Sequence, residues 1–175
     1  QAPSDWRRFI EVGLGRSLRR GDDHASDTRR LSLDIQYDHA LAPDWRAVLA
    51  NRLDLAHPAL RGREHAINTL KEAYLNWRPG PDTLLDLGRI NVRNGVATGY
   101  NPTDYFRVGA LRSIVSINPA SLRENRQGSV MLRGQRLWDG GAVTALFSPD
   151  LGHAPNPEGL SADLAATNLR RRGLV

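Results

Sequence analysis

The sequence predicts an all-β fold, an antiparallel up-and-down β-barrel seen in part, with about seven to eight meander strands and one long third loop. Three observations carry that expectation. Apolar residues recur with period two rather than 3.6, tight turns built from Pro, Asp and Gly punctuate the alternating stretches, and those turns take turns along the chain with long polar connections. With 175 residues, the chain has the length of one ordinary domain, and 1–175 is read as a single unit.

The elements follow in order. Ile10, Val12 and Leu14 alternate with Glu11, Gly13 and Gly15 to make a first strand. In Leu31–Asp38 every odd position is apolar or aromatic and every even one polar, so this strand has one apolar and one wet face. Leu41-Ala-Pro-Asp44 turns the chain into Trp45, Ala47, Leu49, Leu53 and Leu55, which alternate with Arg46, Arg52 and Asp54 and break step at Asn51. The unit returns in Ala73, Leu75 and Trp77 against Glu72, Tyr74, Asn76 and Arg78, followed by the turn Pro79-Gly-Pro-Asp82 and the strand Thr83–Val92. It returns again in Gly128–Leu137 and Ala142–Phe147, joined by Trp138-Asp-Gly-Gly141, whose Asp-Gly is a strong hairpin signal. Thr167–Val175 reads as an eighth strand just starting.

The connections sort by length. Those at 42–45, 79–82 and 138–141 are tight, while those at about 20–29, 57–66, 95–126 and 149–168 are longer and polar. Short turns on one rim and long loops on the other fit a barrel that crosses a bilayer, whose strands need about 9 to 11 residues. Trp45, Trp77 and Trp138 fall beside the tight turns, where an interfacial girdle places amphipathic rings. Polar positions such as Asp34, Gln36, Arg52, Asp54, Glu72 and Asn76 then face a watery interior.

Composition narrows the chemistry. There are 24 basic and 19 acidic residues, a net charge of +5, and Lys71 is the only lysine. The arginines are spread along the chain and not gathered on one segment, so the features that would mark a nucleic-acid partner are missing. The absence of cysteine excludes disulfides, thiolate metal sites and cysteine nucleophiles. His24, His39, His57, His65 and His153 are scattered without metal-ligand spacing. Gly95-Val-Ala-Thr-Gly99 has neither Walker nor dinucleotide-fingerprint spacing, and no Gly-x-Ser-x-Gly elbow occurs. No enzyme activity, metal or cofactor is expected.

One connection is far longer than a typical loop. It holds Asn101-Pro-Thr-Asp-Tyr-Phe-Arg107, Leu111–Pro119 and Leu122-Arg-Glu-Asn-Arg126, and it follows the strand end Gly88-Arg89. Over most of residues 6–149 the chain resembles the N-terminal part of porin-like outer-membrane β-barrels of Gram-negative bacteria, in which strand ends reading Gly-Arg run into Asn-Pro-x-Asp loops. The resemblance implies a third long loop folded into the barrel. Asp104 and Glu124 would then form the acidic side of a constriction, and Arg89, Arg93, Arg107, Arg112, Arg123 and Arg126 the basic side. For each residue singly, a turn cap at Asp104 or an arginine paired with a nearby acid is an equal reading.

The same resemblance implies a channel passing small solutes, weakly favouring anions through its arginine excess, with outer-membrane lipid and lipopolysaccharide as partners and a homo-oligomeric assembly. A closed barrel needs an even number of strands, and seven with a nascent eighth leave two open edges. The chain is therefore expected to be the N-terminal portion of a larger barrel or a truncated product. The competing expectation is a soluble all-β, carbohydrate-binding-like domain with the 95–126 connection as its site.

Overall fold

The fold is that of a computed structural model, which describes residues 5–18, 25–59, 64–92, 105–106, 108–112, 124–152, 154–156 and 158–175. Among the described residues there are eight elements, all strands: β1 (Trp6–Leu18), β2 (Ala25–Ala42), β3 (Trp45–His57), β4 (Ala66–Gly80), β5 (Thr83–Ile90), β6 (Ser129–Trp138), β7 (Gly141–Ser148) and β8 (Arg172–Leu174). They form one sheet in sequence order, every neighbour antiparallel. The expected meander is present, and the sheet is open, with β1 and β8 as its edges.

Three hairpins turn on two residues each, since Ala42 pairs with Trp45, Gly80 with Thr83 and Trp138 with Gly141. The third requires glycine: Gly140 sits at φ +85°, a conformation that a side chain with a Cβ resists. All four tryptophans gather at this rim. Trp45 and Trp77 stack with ring centroids 5.5 Å apart, Trp138 opens the third turn, and Trp6 lies 4.6 Å from Tyr37 where β1 begins. The connections 19–24, 58–65, 91–128 and 149–171 all leave from the opposite rim.

The two faces of the sheet have opposite polarity, and the polar one is inside. Ser32 and Asp54 are 0% and 1% exposed and Arg52 3%, whereas Leu14, Ile10 and Leu87 on the other face are 80%, 66% and 64% exposed. The exposed face carries Val12, Ile35, Leu49, Leu75, Leu132, Val143 and Phe147 as well. A soluble sheet buries its apolar face and wets its polar one, so the polarity here is inverted.

A small apolar cluster does exist on the inner face. Ile90, Met131 and Leu146, from β5, β6 and β7, pack with Val92 and Phe106 of the third long connection, and Tyr74 adjoins them. β4 outlasts β5 toward the long-loop rim, and its free edge is covered by other backbone: Gly128 N–H donates to Lys71 O at 2.9 Å and Asn68 N–H to Gly159 O at 2.6 Å. Buried ladder groups are thereby satisfied without another strand.

Substituting Gly140 by valine tests the hairpin. The change is expected to cost about 1–2 kcal/mol through the positive φ alone, read as a lower midpoint of chemical denaturation, whereas Gly80→Ala, in an unobstructed site of ordinary φ, shifts it little.

Candidate functional site

Period two along β1–β4 sends Glu11, Arg30, Ser32, Asp34, Arg52 and Asp54 to the inner face, where register sets them side by side. Glu11 lies opposite Ser32 and Ser32 opposite Asp54, while Asp34 lies opposite Arg52. The charges join into one ladder. Arg52 donates from Nε to Asp54 Oδ1 at 2.9 Å and from its terminal nitrogen to Glu11 Oε2 at 3.1 Å, with Asp34 3.9 Å away. Arg30 reaches Glu11 at 3.3 Å, Lys71 Nζ reaches Asp34 at 2.5 Å, and Ser32 donates to Asp54 at 2.6 Å. A second set continues across β4–β6, where Asn76 and Arg133 both donate to Asp86 at 2.6 Å.

A bulge delivers Lys71. Ala50 pairs with Glu72 and Asn51 with Leu70, leaving Lys71 as the extra residue of β4. The irregularity lets two consecutive residues, Lys71 and Glu72, share the inner face. Arg7, Glu11, Asp34, Arg52, Lys71 and Glu72 border a cavity of about 840 Å³ against β1–β4.

The other half of the inner face is occupied. Arg112, in the third long connection, donates to Glu158 O at 2.6 Å and to Ser161 O, both in the connection between β7 and β8. Gly109, at φ +72°, lies so close to Ala166 that a Cβ there would overlap its carbonyl. Asn168, 1% exposed, imitates a strand: it accepts from Val130 N–H at 2.9 Å and donates to Val130 O at 2.8 Å, with further bonds to Ser148 Oγ and Pro149 O. The two longest connections are thus locked to each other and to β6.

The expected site residues separate accordingly. Arg89, 2% exposed, donates to Gly128 O at 2.9 Å, Ala162 O at 2.5 Å and Asp163 O at 2.9 Å. Arg126 is buried and binds Asn91 Oδ1 at 2.8 Å and Val92 O. With Arg112, these guanidiniums hold backbone in place. Glu124 is exposed and borders the cavity. Arg93, Asp104, Arg107 and Arg123 lie outside the described residues.

Glu11, Arg30, Asp86 and Arg133 join the charged wall although sequence reading did not single them out. Alternation identified Asp34, Gln36, Arg52, Asp54, Glu72 and Asn76 as inward, and the same phase extended to β1 and β6 points to Glu11 and Arg133. Lys71 has no such signal, because the bulge breaks the period that would find it. No known family model, curated protein or solved structure matches this chain.

Arg52→Met leaves Glu11, Asp34 and Asp54 short of a buried counter-charge. Removing one partner of a buried ion pair typically costs about 3–5 kcal/mol, and the variant's denaturation midpoint is expected to fall by that equivalent. Arg16→Met, whose pairing with Asp27 at 3.6 Å is solvent-exposed, should lose about 1 kcal/mol at most.

Proposed function

We propose that the chain is part of an outer-membrane β-barrel that passes small polar solutes passively, as porins do, without cofactor or covalent chemistry. The observation that carries this reading is the inverted sheet. Charged and hydroxyl side chains lie inside, paired across strands, while leucine, isoleucine, valine and phenylalanine cover the outside. Hydrocarbon as the outer solvent and water as the inner one make that arrangement favourable.

Other features agree. β1–β4 run 13, 18, 13 and 15 residues, more than the roughly 9–11 a tilted strand needs to cross a bilayer. Four tryptophans mark the tight-turn rim, as ring side chains do at a headgroup boundary. In this reading the open edges of β1 and β8 would pair with further strands, because lipid tolerates no unpaired edge. The constriction would be formed by both long connections, with the open path running along β1–β4. Lipid and lipopolysaccharide would contact the apolar face and its rims.

A soluble all-β binding domain would leave the same apolar face against water, where patches of this extent are unfavourable. Leu87→Arg separates the two readings. In lipid bilayers an arginine at mid-strand on the apolar face is expected to cost about 2–4 kcal/mol of folding stability, whereas an exposed surface substitution in a soluble domain stays within about 0.5 kcal/mol. Reconstitution of the full-length protein in planar bilayers tests the channel itself; the absence of any conductance would refute it.

A further inference from the structure

Arg7 on β1 and Glu72 on β4 border the inner cavity, yet neither makes an ion pair among the described residues. They lie in one cross-strand row, Arg7 on the β1 edge of the described sheet, since Arg7 pairs with Gln36, Gln36 with Ala50 and Ala50 with Glu72. Three strand steps of about 4.8 Å separate their backbones by about 14 Å. Only a neutral amide and a methyl group stand between them.

The charges of the neighbouring rows are engaged by partners of their own, and Arg8, which also borders the cavity, lies over the Trp6 ring. On one side lie Asp34 and Arg52, both engaged in the ladder. On the other lie Asp38, paired with Arg46, then Val48 and Tyr74. Phe9, which shares the inner face with Asp34, is 59% exposed and gives the cavity an aromatic wall. A guanidinium therefore faces a carboxylate across a neutral and partly apolar floor, and Glu124 adds a second carboxylate to the cavity.

We propose that this row binds a short zwitterionic peptide, its carboxylate on the Arg7 guanidinium and its ammonium on the Glu72 carboxylate. An extended dipeptide is about 7 Å long, and the arginine and glutamate side chains cover the rest of the gap. Val48, Tyr74 and Phe9 accommodate an apolar side chain. The bulge at Lys71 is what makes the site, because it brings Glu72 inward while the Lys71 ammonium is spent on Asp34. As a step in permeation the site rests on the channel reading; as a binding site it rests on the wall alone.

Calorimetric titration of glycyl-phenylalanine into the full-length protein in detergent micelles tests it, beside the N-acetylated and C-amidated forms of the same dipeptide. The free dipeptide is expected to bind about tenfold or more tightly than either blocked form, the worth of one charge-assisted contact. Arg7→Gln should erase the preference for the free carboxylate and Glu72→Gln that for the free amine, with the β-sheet circular dichroism unchanged. No binding, equal binding of all three forms, or preferences that survive both substitutions would overturn the proposal. Open conductance in bilayers without this discrimination removes the peptide site and keeps the channel. Discrimination without conductance keeps the site and removes the channel.

Discussion

Everything in this fold depends on charge neutralised across strands. A guanidinium or carboxylate removed from water is costly unless a partner and further hydrogen bonds meet it. Arg52 supplies that condition for Glu11, Asp34 and Asp54 at once, and Lys71 adds a second cation for Asp34. Apart from Arg52–Asp54, which lie on one strand, these pairs join different strands, so the ladder also fixes register. A slip by one residue would carry the charges to the apolar face and the leucines to the polar one, so β1–β4 have a single workable pairing.

The inner side is divided between filling and space. Over β5–β7, Phe106 and Val92 close an apolar cluster, and arginine-to-carbonyl bonds tie one long connection to the other. Arginine suits this use, since its fork of donors can satisfy several carbonyls from one buried position and stays charged while doing so. Over β1–β4 the wall is left to its ladder and to the cavity. The third connection and the connection between β7 and β8 interlock, and Arg89, Arg112 and Arg126, expected as the basic side of a constriction, are engaged mainly by backbone carbonyls.

Much of this was legible in the chain. Alternation in Leu31–Asp38 and after Trp45 identified which residues face inward, because side chains of a strand must alternate whatever surrounds them. The turns at Pro43-Asp44 and Asp139-Gly140 were equally plain, as few residues accept those conformations. The third connection was legible as long, but the bonds that Arg112 makes to Glu158 and Ser161 join residues far apart in sequence, and no local pattern encodes them.

What the sequence by itself determined is the strand order, the tight rim with its tryptophans and the polarity of each face, all consequences of period two and turn chemistry acting over a few residues. Only the tertiary structure decided which charges are spent on one another and which remain. Arg126 and Arg7 are the same residue type, yet one is buried on Asn91 and Val92 and the other borders the cavity from the β1 edge. The difference arises because a side chain's partners depend on which strands and connections pack beside it, and that packing is not written in the spacing of residues along one chain segment.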